Sequence, residues 1–158
     1  RRIFFLMFLA TAIILGFSYY AEFVLHYPPC LLCLMQRFIF FGLCFVFFLG
    51  SLHRDTKVSR SLYCVINLIL LILGLLIASR QVWLQHLPSH QVTSCLPGAM
   101  YLIKHVPLKD LLNMIYSGTA ECAKVHWRFI GFSMAEWALI WYAGFIVILL
   151  WLWCGKKR

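Results

Sequence analysis

Charge is scarce in this chain. Only 12 % of its 158 residues are Asp, Glu, Lys or Arg, while 63 % are hydrophobic. A soluble domain carries roughly a quarter charged residues, so the shortage excludes an ordinary water-soluble fold. The length suits one domain, whose interior is too small for so much apolar material. Lipid is the natural place for the remainder. The chain also lacks internal repeats and low-complexity linkers. No histidine lies deep in an apolar run, which argues against a haem held between helices by two histidines. No A-x-A-like site follows the first apolar run, so no cleavable leader is expected.

What the chain does have is four long apolar runs, over residues 3–21, 31–52, 62–78 and 135–153. A spanning helix needs about 20 mostly apolar residues. Lipid offers no partner for backbone N–H and C=O groups, so each run must be a helix. The expectation is an all-α, integral-membrane four-helix bundle, a single membrane domain over 1–158, with a long loop over about 80–133. In a soluble protein the net charge of +9 would suggest nucleic acid. Here eight of the fourteen Lys and Arg residues sit at three places: Arg1 and Arg2; Arg54, Lys57 and Arg60; and Lys156, Lys157 and Arg158. All three fall on one side of the bundle. The excess of basic residues assigns that side, and both termini, to the cytoplasm. The long loop then lies outside. Within it, Leu108, Leu111, Leu112 and Ile115 recur at helical spacing between Pro107 and Gly118. That pattern predicts a short amphipathic helix in the headgroup layer.

The cysteines sort by side. Cys30 and Cys33 form a C-x-x-C at the outer mouth of the second run, and Cys95 and Cys122 lie in the outer loop. Cys44, Cys64 and Cys154 are buried or on the reducing side. Four cysteines outside fit two disulfides. A c-type haem would need His after Cys33, where Leu34 stands. Cys95 and Cys122 lack the close ligand spacing of a zinc site. A structural bridge usually closes a longer loop, whereas redox exchange commonly uses this gap. Pro28 and Pro29 fit a helix starting at the motif, which puts both thiols near the positive end of a helix dipole and favours the thiolate. Arg37 follows Cys33 by four residues, one turn deeper on the same face. An arginine inside a span is costly and marks a functional candidate. The competing reading is that it snorkels to the headgroups.

The run Pro29-Cys30-Leu31-Leu32-Cys33-Leu34-Met35-Gln36-Arg37 resembles the redox motif of the bacterial disulfide-bond formation protein B (DsbB) family. So do Gly118–Cys122, Trp127–Gly131 and Ser133-Met134-Ala135-Glu136-Trp137. The resemblance covers nearly the whole chain. It implies a four-helix protein of the bacterial inner membrane that reoxidises a periplasmic DsbA-like thioredoxin-fold oxidase and hands the electrons to ubiquinone or menaquinone. Carried over, Cys30 and Cys33 are the pair that reduces quinone, Cys95 and Cys122 the pair that meets the partner, and Arg37 the quinone-side arginine. Two positions depart from the pattern. Ala135 stands where some members have Pro, and Gln81 where some place a His near the quinone. Gln81 is therefore the second candidate quinone contact. A vitamin K epoxide reductase-like enzyme also has four spans and two cysteine pairs, but there the loop pair precedes the C-x-x-C. A non-catalytic scaffold with stapled loops would not need Arg37 beside the motif.

Overall fold

The computed structural model describes residues 2–26, 29–53, 56–86, 107, 109 and 128–155. Cys95, Cys122 and nearly all of the expected loop helix lie outside the described residues. Four helices dominate: α1 (Arg2–Phe23), α2 (Leu31–Leu52), α3 (Lys57–His86) and α4 (Met134–Gly155). Each contains a stretch long and apolar enough to cross a membrane. The all-α expectation holds apart from one small hairpin, in which β1 (Arg128–Phe129) pairs antiparallel with β2 (Phe132–Ser133). Its turn, Ile130-Gly131, has φ of 55° and 84°. Two consecutive positive φ values match a tight hairpin turn, and glycine fills the second position without steric cost.

The burial pattern is inverted relative to a soluble bundle. Each helix buries one narrow stripe and presents large apolar side chains outward. On α1 the stripe is Phe4, Met7, Thr11 and Leu15; on α2 it is Leu32, Gln36, Phe40, Leu43 and Phe47. These steps of three and four residues place the stripe on one helix face. Ile13, Phe38 and Phe45 point outward and are more than half exposed, as lipid-facing residues should be. The chain is a multi-pass membrane protein.

Polar side chains within the helices mostly find partners on their own helix. Thr11 Oγ1 donates to the carbonyls of Met7 and Phe8, Ser51 Oγ to that of Phe48, and Asn67 Nδ2 to that of Tyr63. Bonding back to a carbonyl three or four residues earlier satisfies a hydroxyl or amide without a second helix.

Packing runs in sequence order, α1 on α2, α2 on α3 and α3 on α4. The two outer members of this row, α1 and α4, do not pack closely on each other. The main core joins Phe4, Met7, Phe40, Leu43, Phe47, Leu71, Tyr142, Phe145 and Leu149. Gly74 makes room on α3 for the Tyr142 ring of α4: a Cβ there would overlap the ring, which stacks in turn on Phe40 with centroids 4.5 Å apart.

Both boundaries of α3 differ from expectation: the helix already begins at Lys57, ahead of the third apolar run at Leu62. The third apolar run stops at Ala78, but α3 continues to His86, so residues 80–86 are helix rather than loop. Their periodicity explains it: Ala78, Gln81 and Leu84 stay buried at steps of three while Trp83 and His86 face outward. Polar residues ended the hydropathy signal without ending the helix.

Candidate active site

Cys30 is the N-cap of α2, with extended backbone (φ −73°, ψ 167°). Its carbonyl accepts the Leu34 N–H at 3.0 Å, and its Sγ accepts the Cys33 N–H at 3.2 Å. The first turn of a helix leaves four N–H groups without intrahelical partners, and a cap side chain normally satisfies one with oxygen. Here sulfur does so. The expected first-turn placement is met, with Cys30 at the cap and Cys33 three residues in. Cys30 is buried and Cys33 partly exposed.

From α3, Gln81 reaches both sulfurs. Its Nε2 lies 3.2 Å from Cys33 Sγ and 3.5 Å from Cys30 Sγ. Its Oε1 accepts from Gln36 Nε2 at 2.8 Å. Both glutamines are almost fully buried, and the Tyr142 hydroxyl donates to the Gln36 carbonyl at 3.2 Å.

Arg37 stands one turn below Cys33 and is held by α1. Its Nη1 pairs with the Glu22 carboxylate, Nε donates to Ser18 Oγ at 3.1 Å, and Nη2 to the Ser18 carbonyl at 3.3 Å. The guanidinium carbon sits 4.5 Å from the centre of the Tyr19 ring. Both partners are largely enclosed, with 11 % of the Arg37 side chain and 25 % of the Glu22 side chain exposed. The cation is thus anchored within the bundle. Guanidinium carries five N–H donors; three bonds to α1 leave two without a partner among the described residues.

Cys33, Gln36, Arg37 and Gln81 line one cavity of about 400 Å³. Apart from Ser18, the rest of its wall is apolar, including Ile13, Ile14 and Phe17 from α1, Phe40 from α2, and Met134, Trp137, Ala138 and Trp141 from α4. It fills the seam that α1 and α4 leave between them. Cys44 and Cys64 belong to the dry core and do not line it.

The start of α4 forms the cavity rim. Ser133 and Glu136 cap one another: the Ser133 N–H donates to the Glu136 carboxylate at 2.6 Å, and the Glu136 N–H to Ser133 Oγ at 3.3 Å. This is the reciprocal Ser-x-x-Glu capping box. Ser133 Oγ also donates to Gln85 Oε1 at 2.8 Å, which ties the rim to α3.

Sequence reasoning brought Cys30, Cys33, Arg37 and Gln81 to notice, and the structure places all four together. It missed Glu22, Ser18 and Gln36. One signal was available for Glu22: a lone acid at the end of the first span matches a lone arginine at the start of the second, because a charge in lipid seeks a counter-charge.

Apolar spanning helices that set a C-x-x-C at a helix start, with Cys33 on the wall of a largely apolar cavity, fit a thiol–disulfide oxidoreductase of the membrane. The family model "Disulfide bond formation protein DsbB" matches residues 1–152. The chain is 37 % identical over 158 residues to disulfide bond formation protein B of Hahella chejuensis, covering all of this chain and 96 % of the relative. It is 35 % identical over 151 residues to the protein of that name from Stutzerimonas stutzeri, covering 96 % of this chain and 93 % of the relative. A Chromohalobacter salexigens relative with the same name is 38 % identical over 143 residues, covering 90 % and 81 %. The chain belongs to the DsbB family and is a disulfide-forming oxidoreductase.

Proposed function

We propose that this protein reoxidises a periplasmic DsbA-like thioredoxin-fold oxidase and passes the electrons through two cysteine pairs to a membrane quinone. It would act in the bacterial inner membrane with both termini in the cytoplasm. The observation that carries this reading is the shared cavity wall: Cys33 and Arg37 face the same largely apolar space, which is also lined by α1 and α4.

A quinone ring fits the chemistry of that wall. Its faces suit Phe17, Trp137 and Trp141, and one of its oxygens suits the two remaining Arg37 N–H groups. A bound quinone supplies the capacity to accept two electrons and two protons. The chain's residues do the rest. A partner thiolate attacks Cys95, breaking the Cys95–Cys122 bond and releasing Cys122. The Cys122 thiolate attacks Cys30, breaking the Cys30–Cys33 bond and leaving Cys33 as the thiolate on the cavity wall. The partner's second thiolate then attacks the sulfur bonded to Cys95, so that the partner leaves as a disulfide and Cys95 is released. Cys95 attacks Cys122, re-forming Cys95–Cys122 and freeing Cys30 as a thiol. Once Cys30 and Cys33 have given up two electrons and two protons, their disulfide is restored. Each exchange needs only a thiolate that can reach a sulfur. Glu22 and Ser18 hold Arg37 in place.

The test is turnover by the purified full-length chain in nanodiscs with a reduced thioredoxin-fold partner and a defined quinone. Partner oxidation should match quinone reduction mole for mole. Cys33→Ser should bring both to background while the four helices remain folded. Partner oxidation that persists in Cys33→Ser, or that proceeds equally well without quinone, would overturn the reading.

A further inference from the structure

Two glutamines inside a membrane protein need an explanation. A primary amide buried without partners is expensive, and Gln36 and Gln81 are only 6 % and 3 % exposed. Their mutual bond at 2.8 Å satisfies one group on each. It does not explain why the Gln81 amide nitrogen meets both sulfurs of the C-x-x-C. A pair serving only to join α2 to α3 would have no need of the cysteines.

We propose that Gln81 is a catalytic residue of the cysteine pair: its amide N–H groups stabilise the reduced, thiolate form of Cys30 and Cys33. Gln36 is the positioning residue that aims them. The inference rests on Cys30 and Cys33 being the redox pair of the proposed function. A hydrogen bond to an anionic acceptor is roughly twice as strong as one to a neutral acceptor. A disulfide sulfur is a poor acceptor and a thiolate a good one, so the same N–H groups favour the reduced state over the oxidised state. Stabilising the reduced state makes a pair a stronger oxidant. That direction is useful here, because this pair must take electrons from an outer pair that serves an already strong oxidant.

Aim is what Gln36 contributes. The two ends of an amide are nearly the same shape, and the wrong end would present a carbonyl to the thiolates. The bond from Gln36 Nε2 engages the Gln81 oxygen and leaves the Gln81 nitrogen toward sulfur. Gln36 in turn sits on the stretch of α2 whose carbonyl receives the Tyr142 hydroxyl. The local N-cap bond from Cys33 N–H reaches only Cys30. The Gln81 amide reaches Cys33 Sγ as well, from a different helix.

The experiment uses the full-length chain with Cys95→Ser and Cys122→Ser, so that Cys30 and Cys33 titrate without the loop pair. The parent, Gln81→Met and Gln36→Met are equilibrated in dithiothreitol buffers without quinone, and the fraction reduced is read by alkylation and mass. Gln81→Met should shift the equilibrium about tenfold toward the disulfide, which is about 30 mV more reducing. Alkylation of the reduced pair at fixed pH should slow. Gln36→Met keeps the donor but releases its aim, and should shift the equilibrium about threefold in the same direction. Either variant, folded yet with an unshifted equilibrium, overturns the proposal; a change in melting temperature alone would leave the glutamines as interhelical glue. A parent in which Cys30 and Cys33 form no reversible disulfide overturns the redox assignment itself, and that result is seen before any glutamine is changed.

Discussion

The two ends of this bundle are built on opposite terms. Away from the thiols, Phe4, Leu43, Phe47, Leu71, Phe145 and Leu149 form a dry aromatic and aliphatic core, where the Thr11 and Ser51 hydroxyls bond to carbonyls of their own helices. At the thiol end the apolar cluster shrinks to Cys30, Leu32 and Leu84, with Cys33 and Ile77 against it. There the helices are joined side chain to side chain: Arg37 to Glu22 and Ser18, Gln36 to Gln81, Ser133 to Gln85. In lipid, packing and interhelical hydrogen bonds must do what hydrophobic burial does in water. One end relies on the first, and the other accepts the desolvation cost of the second for the sake of reactive groups. Tyr142 belongs to both, its ring in the core and its hydroxyl on Gln36.

If that division holds, variants at the two ends should separate stability from chemistry. The largest effect is expected at Arg37. Arg37→Met removes the cation and its remaining donors, and quinone kcat/KM should fall roughly tenfold or more, the range for a hydrogen bond to a charged group. Partner binding should change little. Arg37→Lys should lose less, because the charge stays while the planar fork goes. Steady-state kinetics with each substrate varied in turn decides it, and equal losses for both substrates would blur the boundary. Next comes Phe47→Ala in the dry core. The ring contacts Phe4 and Phe145 at centroid distances of 6.1 and 6.0 Å, and deleting it leaves a void worth about 1–3 kcal/mol once the smaller transfer term in lipid is allowed for. Unfolding in mixed micelles should report that loss, while the Cys30–Cys33 equilibrium stays put. The smallest effect is expected at Ser133→Ala, which removes a helix cap of about 1 kcal/mol. Hydrogen exchange should rise in the first turn of α4 and leave the turns around Phe145 unchanged.

Much of this was legible in the sequence, for reasons that differ between residues. The four helices announce themselves because lipid tolerates no other conformation for an apolar run. The C-x-x-C and Arg37 stand out because each is rare at that depth. The last two turns of α3 were lost to a hydropathy argument because Arg80, Gln81 and Gln85 interrupt the apolar run, although the buried face continues through Leu84. Gln81 was noticed through resemblance alone and assigned to quinone. The structure keeps it on the cavity wall and also puts its nitrogen against sulfur, a contact between helices 48 residues apart in sequence that no local spacing could reveal. Ser18 escaped for the same reason, while Glu22 offered only the charge-balance signal of a lone acid. Their four-residue interval marks a shared face of α1, but nothing local says that Arg37 lies opposite it.

The unclosed seam between α1 and α4 has one more consequence. Under the proposed function, a site that opens sideways would be supplied in two dimensions. An acceptor dissolved among acyl chains would reach Cys33 by sliding within the sheet of lipid, without crossing a water interface. What governs its arrival is then its mole fraction in the membrane, not its concentration in the surrounding volume. Diluting the proteoliposomes in buffer should leave that step unaffected, whereas diluting the acceptor with more lipid should slow it. The two reactants of this protein would thus obey different laws of supply, one counted per litre and the other per area.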